Sequence, residues 1–264
     1  MPTTVQALFD YVGVQRGGAV RWGAAVPELR PGVYVVSTNE DPADGSGLST
    51  APVQAGQVEH LLQARPELTV DKSRPSSTQL ADRLRAMWPA GESVVYIGKA
   101  TTGVAARVKQ YYSTKIGARS PHAGGWPVKM LDTRLLWVHF GATTQSGDIE
   151  NKMVDVFEAG VPAEVRASLV DPTMPLPFAN LEYPDHRRRK AHGIGGAKAT
   201  RQAPSSATDA GLGTLTTPDS SDQHLTVALS EIVGSFGRHV PDRDYGTCPD
   251  CFTKYTPSGR CACN

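Results

Sequence analysis

Tyr96, Lys99, Arg107 and Tyr111 bring two phenols, an ammonium and a guanidinium into one short stretch of a 264-residue chain. Val94, Val95 and Ile97 lead into Gly98, which reads as a short buried strand ending in a turn. Thr101 or Thr102 is placed to cap a following helix, with Gly103 in its first turn. On that helix Val104, Arg107, Val108 and Tyr111 fall at i, i+3, i+4 and i+7 and share one face. The face is apolar apart from Arg107. A guanidinium is costly to bury alone, so Arg107 either meets a carboxylate or awaits an anion. Such a corner suits a phosphodiester.

Glu150 forms a second constellation. The pattern predicts a helix over 148–159, started by Ser146 or Asp148 and stopped by Gly160-Val161-Pro162. Ile149, Met153, Val156 and Phe157 form its core stripe, and Glu150 borders that stripe. Two readings stand side by side. Glu150 is a boundary carboxylate paired with a base, or it is a hard-oxygen ligand for Mg²⁺, which uses one or two carboxylates and keeps several waters.

The elements that must position these groups follow from periodicity. Val5, Leu8, Phe9 and Val12 mark a short helix, Ala19 to Gly23 an edge strand, and Gly32 to Ser37 a strand entered through Pro31. Residues 40–50 form a loop. Val58, Leu61 and Leu62 mark a helix, Leu68 to Val70 is extended, and Ser76, Ser77 or Thr78 starts a helix carrying Leu80, Leu84 and Trp88. Arg134 to Phe140 is the third strong strand. Pro172 to Asn180 is a turn-rich return.

Gly32-Val33-Tyr34 and Tyr96-Ile97-Gly98 resemble the paired signatures of the GIY-YIG nuclease superfamily, and the resemblance extends along residues 31–182. Lys99-Ala100 follows the second signature, Arg107 falls at the family's arginine, and Tyr111 lies one turn on. Glu150 opens the helix that carries the family's metal-binding glutamate. Asn180 looks like the asparagine that closes the domain. One departure is clear: most of 38–91 is inserted between the signature strands, as a helical excursion supplying either DNA contacts or a dimer surface. Long insertions cost little loop-closure entropy.

The resemblance implies an α+β fold with a small three-stranded antiparallel sheet flanked by helices. It also implies a Mg²⁺-dependent endonuclease that hydrolyses DNA phosphodiester bonds. Tyr34 or Tyr96 would act as general base or orient the water, its phenol (ordinary pKa ~10) made acidic by cations such as Lys99. Arg107 would grip a non-bridging oxygen through its donor fork. Tyr111 would position the phosphate, and Glu150 would hold Mg²⁺ near the 3′ leaving oxygen. His122 and Asn180 would contact substrate. The basic run Arg187, Arg188, Arg189 and Lys190 is either a solvated flank or a sequence-independent phosphate contact. The alternative reading is a non-catalytic nucleic-acid-binding protein that retains the fold.

Cys248, Cys251, Cys261 and Cys263, the chain's four cysteines, sit as C-x₂-C and C-x-C in the final segment. That clustering favours a structural Zn²⁺ site in a ribbon-like tail, with redox-active thiols as the competing reading. The chain therefore divides into an N-terminal helix and edge segment (1–30) and the nuclease-like domain (31–182, insertion at about 38–91). A basic segment and flexible linker (183–222) and a helix with the cysteine tail (223–264) follow. Its 27 basic and 26 acidic residues nearly cancel, so a DNA surface must come from local clustering. With no long apolar run and no secretory core, the expected protein is cytoplasmic, without a membrane partner. Two coordinated cuts in a duplex would need two active sites or sequential nicking, and the first of these raises a homodimer.

Overall fold

The computed structural model describes residues 3–120 and 125–198. Val5–Tyr11 forms helix α1, capped by the Thr4 hydroxyl, and Gly18–Arg21 and Gly32–Ser37 form strands β1 and β2. Ala55–Ala64 (α2), Thr69–Val70 (β3) and Ser77–Arg85 (α3) make up the insertion. Ser76 and Gln79 close a capping box on α3, satisfying two backbone donors reciprocally. Val94–Ala100 (β4), Val104–Ser113 (α4), Trp137–Ala142 (β5), Ser146–Gly160 (α5) and Ala163–Ser168 (α6) follow, and Ile194–Gly195 is β6.

The fold is mixed α+β around an antiparallel sheet of four strands in the order β1-β5-β2-β4. Three were expected. The fourth is β1, which joins the outer edge of β5 with Ala19 opposite His139. Gly17 makes this approach feasible, because a Cβ there would lie 2.9 Å from the Phe140 ring. Strand β2 is buried along its whole length, since it is paired on both sides. Its alternation sorts the core into two layers. Val33 and Val35 pack with Leu8, Phe9, Met153 and Phe157 from α1 and α5. Tyr34 and Val36 belong with Leu61, Leu84, Val104 and Tyr111 from the insertion and α4. Each such burial contributes about 1.5–3 kcal/mol.

Two helix starts differ from expectation. Strand β4 runs past Gly98 through Lys99 and Ala100, paired with Val33 and Gly32, so Thr101 and Thr102 fall in the turn and Gly103 is the N-cap of α4. Only glycine fits there, because a Cβ would approach the Leu29 carbonyl oxygen to 2.5 Å. Helix α5 starts at Ser146 with Gln145 as N-cap and no side-chain cap.

The segment beginning at 183, expected as part of a linker, is built into the fold as far as Lys198. Lys190 N–H donates to the Leu181 carbonyl at 2.8 Å and Tyr183 N–H to the Arg188 carbonyl at 3.1 Å. Further on, β6 pairs with β3 of the insertion, and Lys190, Ile194 and Ala197 are buried. Among the described residues, no helix is long and apolar enough to cross a membrane. The cysteine tail and its zinc expectation lie outside the described residues, as does His122.

Candidate active site

The strand register brings the two tripeptides together. Tyr34 lies opposite Gly98 and Val36 opposite Tyr96, so Tyr34, Tyr96 and Gly98 share one face of the sheet. The Tyr34 and Tyr96 rings sit 5.9 Å apart, tilted by 43°, and their hydroxyls share a hydrogen bond. Gly98 is the floor beneath them. A Cβ there would stand 2.6 Å from the Tyr96 ring and 2.7 Å from Cζ of Tyr34. Tyr111 meets Tyr96 edge-on, with centroids 5.5 Å apart, and its hydroxyl donates to the Gly125 carbonyl.

Lys99 points to the opposite face from Tyr96, because one residue of odd spacing reverses the side chain. There it meets Glu150, the fifth residue of α5, with Nζ 3.0 Å from Oε2. Since β4 is the sheet's edge strand, groups from both faces reach one cleft beyond that edge. Tyr96, Lys99, Arg107 and Glu150 line it, in a volume of about 450 Å³. Glu150 is 7 % exposed, and its Oε2 has no aligned hydrogen bond. Burial pushes its carboxyl up, and Lys99 and then Arg107 pull it back. Arg107 donates only a long bond to Gln110 Oε1 at 3.3 Å, and it pairs with no carboxylate among the described residues. Arg107 is half-buried and turns toward the cleft rather than toward a carboxylate.

Burial raises all three phenols above their ordinary value, most strongly Tyr34 and Tyr111. The cation that opposes the rise is Arg107, not Lys99, which lies on the other face and is engaged by Glu150. This corrects the expected role of Lys99 as phenolate stabiliser. Tyr34 (1 % exposed) and Tyr111 (0 %) do not line the cleft, whereas Tyr96 (9 %) does. Tyr34 backs Tyr96, and Tyr111 anchors Gly125, a left-handed residue (φ +62°) at the cleft rim.

Asn180 also lines the cleft, but its polar atoms face the protein. Its Oδ1 accepts from Ile97 N–H and its Nδ2 donates to the Ile97 carbonyl, both at 2.9 Å. The expected substrate contact is thus replaced by a clamp on the edge of β4. The basic run divides as well. Arg187 pairs with Asp155 and Asp185 at 2.6 and 2.8 Å, and Arg188 donates to the Thr173 hydroxyl at 2.8 Å. Lys190 is buried with Nζ 3.4 and 3.2 Å from the Leu176 and Pro177 carbonyls, and burial lowers its pKa to about 7. Only Arg189 of the four lines the cleft. Its neighbours point elsewhere because the segment bridges back as an antiparallel turn, with Glu182 opposite Arg189.

Glu182, His192 and Lys198 also line the cleft without any signal in the sequence, and His186, which opens the basic run, joins them. Glu182 pairs with His186 at 3.2 Å and with Arg189 at 3.2 Å. No spacing rule points to them, since Glu182 and His186 reach the cleft through the turn bridged by Glu182 and Arg189, and His192 and Lys198 flank β6, which is paired with β3. Among the described residues, no group of three or more His, Cys, Asp or Glu is arranged to hold a metal. One buried carboxylate at a water-accessible cleft nonetheless suits a largely hydrated Mg²⁺. No protein-family model, no characterised protein and no solved structure matches the chain.

Proposed function

We propose that the protein is a metal-dependent endonuclease of GIY-YIG type that hydrolyses DNA phosphodiester bonds. The supporting observation is the convergence of Tyr96, an acid-free Arg107 and the Lys99–Glu150 pair in one cleft. Arg107 offers its donor fork to a non-bridging oxygen and neutralises charge growing on phosphorus. Tyr96, a neutral phenol held by Tyr34, orients the attacking water. Its raised pKa favours this part over that of general base. Water forms the new P–O bond, the bond to the 3′ oxygen breaks, and a proton leaves the water as the 3′ oxygen gains one. Glu150 would hold a Mg²⁺ ion, which when bound would supply charge neutralisation for that leaving oxygen. Lys99, which holds Oε2 of Glu150 at 3.0 Å, would release that oxygen when the carboxylate takes a metal, and its ammonium would then be free to meet the phosphate.

Plasmid nicking with Mg²⁺ tests the reading. Glu150→Gln and Arg107→Ala should each lower the rate by at least ~100-fold, the scale of losing a preorganised charge at the transition state. Cleavage that survives both substitutions would sink the site assignment. Binding without cleavage across several divalent metals would favour the non-catalytic alternative.

A further inference from the structure

The insertion and the segment after Asn180 are stitched together along one seam. Strand β3 pairs with β6, and Asp71 N–H donates to the Gly193 carbonyl at 2.9 Å. Arg83 Nη1 donates to the His192 carbonyl at 3.0 Å. Arg65 reaches the Gly196 and Lys198 carbonyls, each at 3.2 Å. Gly193 (φ +71°) closes the seam, because a Cβ there would lie 2.2 Å from Asp71 Oδ1 and 2.3 Å from Arg83 Nη1. Two guanidinium groups of the insertion therefore fix the backbone of a segment that is itself cationic.

That segment is the second wall of the cleft, facing Arg107 and Lys99 with Arg189, His192 and Lys198. Its charge is poorly compensated. Arg189 shares one carboxylate, Glu182, with His186, and it remains 70 % exposed. Among the described residues neither Lys198 nor His192 has an ion-pair partner. Burial and then neighbouring cations, Lys190 and Arg189 foremost, lower His192 to about 4, and burial and then Arg189 lower Lys198. The neutral His192 ring accepts Ile194 N–H at Nδ1, 3.0 Å away, which leaves Nε2 as its N–H donor. Cations gathered beside an open cleft repel one another until an anion joins them.

We propose that Arg189 and Lys198, with the His192 ring as a further donor, form a second phosphate subsite in the same cleft, which takes another phosphate of the strand held at Arg107 and is braced by the insertion. This assignment rests on the nuclease reading for its ligand. The surface ion pair between Arg189 and Glu182 is worth little in water, so a phosphate can compete for the guanidinium.

Fluorescence anisotropy with a labelled oligonucleotide in EDTA tests the subsite without catalysis. The Arg189→Gln/Lys198→Gln double variant should bind about 5- to 30-fold more weakly at low salt. Its slope of log affinity against log salt should fall by about 0.7–0.9 for each phosphate that the variant no longer neutralises. Arg65→Met, which removes a brace and no cleft side chain, should weaken binding in the same direction while the melting curve still reports a folded protein. Wild-type affinity and slope in the double variant, with the parent still cutting DNA in Mg²⁺, would overturn the subsite and leave the nuclease reading intact. The expected loss in a parent that cuts nothing in any divalent metal would uphold the subsite and sink the nuclease. A parent that binds no oligonucleotide overturns both. Inorganic phosphate that binds the parent but not the double variant, with oligonucleotide affinity unchanged, would mark a free-anion site and overturn the strand assignment.

Discussion

On the proposed nuclease reading, a divalent cation would compete with Lys99 for the carboxylate oxygen of Glu150 that the ammonium holds, and that competition is the most direct residue-level handle on the site. A partly exposed ion pair contributes at most about 1 kcal/mol, or roughly a fivefold change in affinity. Lys99→Met should therefore lower the Mg²⁺ concentration for half-maximal cleavage severalfold, up to about fivefold. The maximal rate should fall as well, because the ammonium no longer helps the phosphate. A Mg²⁺ titration of nicking, checked by direct Mn²⁺ binding, reads both effects. An unchanged half-saturation would mean that the metal does not displace Lys99. The sequence made the discordant arginine on the α4 face visible, and with it the need for an anion. It did not reveal which phenol lines the cleft. That depends on the pairing of Tyr34 with Gly98 and on the edge position of β4, neither of which is written in local spacing.

At the scale of elements, β4 depends on a side chain 83 residues away. Asn180 satisfies both backbone groups of Ile97, and Asn180→Ala would leave a buried N–H and C=O unpaired. At about 1–3 kcal/mol for each of the two unsatisfied groups, the loss should be roughly 2–6 kcal/mol. A urea midpoint measures it, and faster hydrogen exchange at the Ile97 amide would localise it. A variant as stable as the parent would show that water replaces the clamp. The main strands and helices were legible because β-branched runs and helical spacing report burial directly. Strand β4 ran two residues beyond its predicted turn because Gly32 and Val33 continued the ladder, which displaced the expected threonine caps. Strand β6 and helix α6 had no comparable signal. Two residues of strand acquire meaning only when β3 supplies the partner.

At the scale of the whole molecule, Lys190 couples stability to pH. Burial lowers its ammonium from 10.5 to about 7, so between those values the unfolded chain holds a proton that the folded protein has released. Stability from this group rises with pH across that window, is complete above 10.5 and is lost as pH falls through 7. The slope is at most about 1.4 kcal/mol per pH unit. Lys190→Met should flatten the stability profile between pH 7 and 10, as read by denaturant midpoints, and an unaltered slope would assign the dependence to other groups. The clamp at β4 has a further consequence, for solubility. Ala179 N–H on the Val95 carbonyl at 2.9 Å and the Asn180 amide on Ile97 together occupy the positions of a fifth strand. Without them the open edge is a template on which another copy can add a strand. Asn180→Ala should therefore show concentration-dependent light scattering that the parent lacks, and deamidation of that one side chain during storage would open the same route to aggregation.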